Sequence, residues 1–152
     1  MRLSKTAMML FSVSLLGLGS AGFAISADSV APTKQGTVNY MTGGVGDDDI
    51  AALKRAASSY PLELEFSQQA QPKNEFVADV KVTVRDRAGK VLLDAASGGP
   101  FMLVELPTGR YDVEASYDGQ SKRQSVDVRR DQHRKVVFVW PTRPGTSETA
   151  AQ

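Results

Sequence analysis

The chain has 152 residues, no cysteine and one histidine, with 18 basic against 17 acidic residues. The missing thiols exclude disulfides, a lipid anchor on cysteine and the usual zinc clusters, which would need ligands a single histidine cannot supply. A charge this close to balance argues against a generic polyanion binder.

The first 27 residues read as an address. Arg2 and Lys5 precede an apolar run from Ala7 to Leu18, and small residues then take over, the order of a secretory signal peptide. Cleavage can fall after Ala24, Ser26 or Ala27, and Ala27 is preferred. An uncleaved anchor is the alternative, and it would be the chain's one link to a membrane. Ser12, Ser14, Ser20 and several glycines dilute the run below the roughly 20 apolar residues a span needs. Removal of 1–27 leaves sixteen basic and seventeen acidic residues, a net charge of −1. Residues 28–36 read as a linker, 37–140 as one domain, and 141–152, "PTRPGTSETAAQ", as a disordered tail without apolar periodicity.

Within the domain, "TVNYMT" reads as a short strand. After the glycines, Ile50, Leu53 and Ala57 fall at i, i+3 and i+7, with Ala56 and Tyr60 widening the stripe, which predicts an amphipathic helix stopped by Pro61. "LELEF", residues 62–66, alternates Leu62, Leu64 and Phe66 against Glu63 and Glu65, so it is a strand, and residues 67–75 form a polar loop. "ADVKVTVRD" alternates Val80, Val82 and Val84 against Asp79, Lys81, Thr83 and Arg85. "RAGK" turns the chain, "KVLLDAAS" runs back, and "FMLVEL" is apolar enough for a strand covered on both sides. In "RYDVEASY" Tyr111, Val113, Ala115 and Tyr117 face inward. Asp118-Gly119 is a hairpin signal. "QSKRQSVDV" is apolar only at Val126 and Val128, and "HRKVVFVW" closes the domain. Strands at this spacing predict an antiparallel β-sandwich of seven or eight strands with one N-terminal helix.

"GGVGDDDIAALKRAAS", residues 43–58, invites a phosphate or metal reading. A phosphate cradle uses the positive potential of a helix N-terminus, and Asp47, Asp48 and Asp49 would repel an anion there. A P-loop needs Lys-Ser/Thr after its last glycine, and Asp47-Asp48 stands in that place. A calcium loop of the EF-hand type needs alternating ligands, a glycine at its sixth position and a glutamate at its twelfth, and this stretch has neither residue there. The stretch is a helix start, with Asp47 as cap and the other acids on the favourable end of the macrodipole.

His133 stands among arginines, and no serine sits in a G-x-S-x-G elbow. Glu63 and Glu65 lie on one strand face about 7 Å apart, within the range of glycosidase carboxylates, but alternating solvent-facing glutamates are ordinary in strands. No catalytic, cofactor-binding or metal-ligating residue is assigned. Lys122, Arg123, Arg129, Arg130, Arg134 and Lys135 gather on the last two strands and their turn, with Asp127 and Asp131 partly offsetting them. They either protect sheet edges or form a patch for an acidic partner. No aromatic interleaves them to stack bases, so nucleic acid is not expected. Tyr40, Tyr117 and Trp140, if exposed, would make a platform for a glycan.

The stretch from "ADVKVTVRDRAGK" through "SGGPFMLVELPTGRYDVEASYDGQSKRQSVDV" resembles carboxypeptidase regulatory-like domains, β-sandwich modules related in fold to transthyretin. The features that carry the likeness are "D-x-x-G-K" at the end of a strand, "GPF" opening the next, and a Leu-Pro-x-Gly-x-Tyr turn into a hairpin. It covers roughly residues 76–128. The "GGVGDDD"–helix–"YPLELEF" prefix also looks like small secreted bacterial proteins carrying this domain alone. The zinc motif of the carboxypeptidase catalytic domain is absent. The transthyretin-like hydrolase of purine degradation relies on histidines that one His133 cannot match. The resemblance therefore implies a binding or structural role: a periplasmic or secreted, non-enzymatic module without cofactor, whose partner is an envelope protein. The alternative is a carbohydrate or cell-wall binder.

Overall fold

A computed structural model describes residues 30–142; the expected signal peptide, 1–27, and most of the expected tail, 141–152, lie outside them. Among the described residues no helix is long and apolar enough to cross a membrane. The chain order is β1 (Thr33–Gln35), β2 (Val38–Gly43), α1 (Asp47–Ala56) with a 3-10 turn at Ala57–Ser59, β3 (Leu62–Gln68), β4 (Glu75–Phe76), β5 (Lys81–Arg85), β6 (Val91–Ala96), β7 (Phe101–Glu105), β8 (Gly109–Tyr117), β9 (Gln120–Val128) and β10 (Arg134–Trp140). One sheet runs β1-β2-β7-β3-β10, with β4 beside the end of β3, and the other runs β6-β5-β8-β9. The result is a mainly β sandwich with one helix near its N-terminus.

The inner faces follow the period of two. Leu62, Leu64 and Phe66 of β3, Val82 and Val84 of β5, Met102 and Val104 of β7, Val113 and Ala115 of β8, and Phe138 and Trp140 of β10 form one buried core between the sheets. β7 is covered on both sides, because Leu103 on its outer face is 1% exposed beneath the helix. There Leu53 of α1 packs with Val30, Met41, Tyr60 and Leu103 in a second cluster. Burying Leu53 contributes roughly 1.5–3 kcal/mol to holding the helix down.

Several expectations need correcting. Thr33–Gln35, assigned to the linker, pairs antiparallel with β2, and Val30 is buried. The polar loop 67–75 is shorter than expected, because β3 runs to Gln68 and Glu75–Phe76 pairs with it. The helix is capped by Gly46 rather than Asp47, which is already helical and whose side chain makes no capping bond. Gly46 holds φ +115°, open to glycine, and its carbonyl accepts the Ile50 N–H at 3.1 Å.

One pairing breaks the antiparallel pattern. β10 lies parallel to β3, from Arg134 opposite Leu62 to Trp140 opposite Gln68. β9 delivers the chain to the end of the sandwich where β3 begins. Crossing to the other sheet there leaves β10 only the direction that β3 already has.

Candidate interaction surface at the loop end

The connections 36–37, 86–90, 106–108 and 129–133, with the residues ahead of β3, meet at one end of the sandwich. Two concavities open there. The larger, about 770 Å³, is lined by backbone and side chains of Ser58, Tyr60, Glu105, Thr108, Arg130 and His133 among others. Beside it a shallower depression of about 480 Å³ is framed by Arg87, Thr108, Arg110, Asp127 and Arg129.

Local turn chemistry holds these loops. Asp86 Oδ1 accepts the N–H groups of Ala88 and Lys90, both at 2.9 Å, which fixes the turn carrying Arg87. Tyr111 Oη donates to the Pro107 carbonyl at 2.7 Å, so the Leu-Pro-x-Gly-x-Tyr segment is a turn clamped by its own tyrosine. Burial first, and the Asp86 charge second, push the Tyr111 phenol up from its ordinary value. Arg110 is oriented by a two-point contact with Asp127, at 3.0 and 3.2 Å. Hydrogen bonding and charge from Arg110 hold the Asp127 carboxyl below its ordinary value, with Arg129 and Arg134 adding to the effect.

The six basic residues singled out in the sequence do not form one patch. Arg123 lies on the outer face of its sheet and is bound to Glu114 at 2.6 Å; this hydrogen bond is the main reason the Glu114 carboxyl falls below its usual range. Lys135 lies on the outer face of the other sheet, 2.5 Å from Glu65 and 3.6 Å from Glu63. Lys122 stands opposite Ala115, well along β9 from the loop end. Arg129, Arg130 and Arg134 remain at the loop end, where Arg87 and Arg110 join them. Sequence reading missed those two because they stand about 20 to 40 residues upstream, and only the sheet order reveals them as neighbours.

The aromatic platform is not present. Trp140 is 1% exposed, packs against Phe66, Phe138 and Tyr117, and donates its indole N–H to the Gln120 carbonyl at 3.0 Å. Tyr40 and Tyr117 are half-buried against the core.

His133 is at the surface, as its setting among arginines suggested, yet both ring nitrogens are engaged. Nδ1 meets the Tyr60 carbonyl at 2.9 Å and Nε2 meets Glu63 Oε2 at 2.7 Å. Burial alone would lower the imidazole's pKa, but these two acceptors outweigh it and the net direction is upward. Glu63 and Glu65, weighed as a carboxylate pair, share Lys135 between them. The loop end thus offers guanidinium groups, hydroxyls and backbone carbonyls for recognition, beside the carboxylates of Glu105, Asp127 and Asp131.

No family model matches the chain, and no curated protein matches it. Among solved structures, the chain is similar to the Bacillus anthracis TIE protein, at 12% identity and a TM-score of 0.38, over 53% of this chain and 16% of that one. The chain thus spans less than a fifth of that protein's length.

Proposed function

We propose that the chain is a non-enzymatic interaction module of the bacterial cell envelope, periplasmic after removal of residues 1–27, and built on a carboxypeptidase regulatory-like domain. It binds an acidic surface of an envelope protein through its loop end. The observation that carries this reading is the meeting of Arg87, Arg129 and Arg130, with Arg110 held by Asp127, around two neighbouring concavities, although these residues are scattered along the chain. Charge complementarity of this kind steers encounter and selects partners more than it adds affinity. The engagement of both His133 nitrogens supports the non-enzymatic reading. Neither nitrogen is free to take a proton from Ser58 or Ser59 nearby.

A cross-linked pull-down of the tagged protein from its native envelope, read by mass spectrometry, tests this. One envelope protein is expected at high ratio. Arg129→Glu, Arg130→Glu and Arg134→Glu together should remove it while the thermal transition stays in place. Unchanged recovery from the triple variant would move the interface elsewhere. Cell-wall fragments without a protein would replace the reading with a glycan-binding one.

A further inference from the structure

Away from the loop end, a cleft of about 280 Å³ separates α1 from the outer face of the sheet it covers. Phe101 forms its open floor and Ile50 and Ala57 its helical wall, while Leu53 and Leu103, packed on each other, close its inner end. Phe76, 58% exposed, stands at its mouth and meets Phe101 edge-on at 5.2 Å. The volume lies just below the roughly 300–1,000 Å³ of drug-sized ligand sites, which suits a smaller ligand.

The charges along this apolar trough are unequally committed. Lys135 bridges Glu65 and Glu63 at 2.5 and 3.6 Å, and His133 meets Glu63 at 2.7 Å, so each carboxylate already has a partner. Lys54, one helical turn from Ile50 and Ala57, also lines the cleft, and among the described residues it has no ion pair. The site therefore combines an apolar trough with one uncommitted cation.

We propose that this cleft binds a small amphiphile with one alkyl chain and one carboxylate, the class of a medium-chain fatty acid, with Lys54 holding the carboxylate. The chain of the ligand lies over Phe101, between Ile50 and Ala57 on one side and Phe76 on the other. A cationic amphiphile would place its charge beside an ammonium that has no counter-ion, so the head group decides occupancy. This site is separate from the loop end, and its failure leaves the proposed function untouched.

The test is an NMR titration of the protein, purified as its producing cell processes it, with decanoate and with decyltrimethylammonium, each below its micelle concentration. Decanoate should shift amide signals of α1, Phe76 and Phe101, and bind about fivefold more tightly than the cation, the worth of one exposed charge contact. Lys54→Glu, on an exposed helix position, should abolish that preference. Ala57→Phe should fill the trough and remove binding of either, with the signals of the opposite sheet unmoved. Equal affinity for the two head groups, decanoate shifts elsewhere, no binding, or a Lys54→Glu variant that still prefers decanoate would each overturn the proposal.

Discussion

Gly99 meets Gly43 backbone to backbone. A Cβ on Gly99 would stand 2.2 Å from the Gly43 carbonyl oxygen and 2.4 Å from its carbon. Gly43 is the last residue of β2 and is paired with Phe101, so it has no rotamer with which to retreat. Gly99→Ala should therefore destabilise the fold by about 1–3 kcal/mol, the usual cost of overpacking, with an unchanged denaturant dependence in urea unfolding. A loss below about 0.5 kcal/mol would show that the 97–100 segment can back away. In sequence this glycine reads only as part of a breaker, "SGGP", because close approach of two backbones has no periodic signature. Trp140 was more legible than its platform reading allowed. It is in phase with Val136 and Phe138, and both are buried. A tryptophan can follow that phase inward only if its N–H finds an acceptor, and the Gln120 carbonyl supplies one from the opposite sheet. Charge counts were less informative still. The partners that neutralise Arg123 and Lys135 stand on neighbouring strands, which composition does not locate.

Elements of ordinary length were legible from their alternation, and the very short ones were not. β1 has three residues and β4 two, too few to show a period, and both exist through pairing with a longer strand. β1 also explains how one side of the sandwich is closed. The Gln35 side chain donates to the Asp94 carbonyl at 3.0 Å and accepts the Asp94 N–H at 2.6 Å, which joins an edge of one sheet to the β6 edge of the other. On the opposite side Gln124 donates to the Val137 carbonyl at 3.2 Å, joining β9 to β10. Unpaired edge groups invite pairing with other chains, and at these two places a glutamine amide occupies them. Gln35→Ala should cost about 1 kcal/mol for the lost contacts. It should also raise the rate of aggregation on mild heating, measured by light scattering at matched fraction folded. Unfolding and scattering curves that superimpose on those of the wild type would show that water serves the β6 edge equally well.

At the scale of the molecule, His133 ties three parts together: the end of the helical segment through Tyr60, the helix-covered sheet through Glu63, and the arginine-bearing loop 129–133 to which it belongs. Both of its contacts are acceptors, a carbonyl and a carboxylate. Only the doubly protonated ring can donate to both, while a neutral ring faces one of them with a lone pair. Hence the folded imidazole holds its proton to higher pH than the unfolded one. With its folded pKa above the unfolded value of about 6.5, the stabilisation is complete below that value and is lost as pH rises through the folded pKa. Because the side chain is 35% exposed, solvent screens part of the effect. The chain has one histidine, so among side chains with ordinary pKa values no other changes charge between pH 6 and 8. Urea unfolding across that range should show wild-type stability falling as pH rises, and His133→Gln should flatten the profile apart from any contribution of the amino terminus. Glu63→Gln should flatten it in part, since it keeps an acceptor but removes the charge. An NMR titration of the imidazole supplies the folded pKa directly. A value at or below about 6.5, with a flat wild-type profile, would mean that burial outweighs the two acceptors and that the clip between helix, sheet and loop end does not depend on a proton.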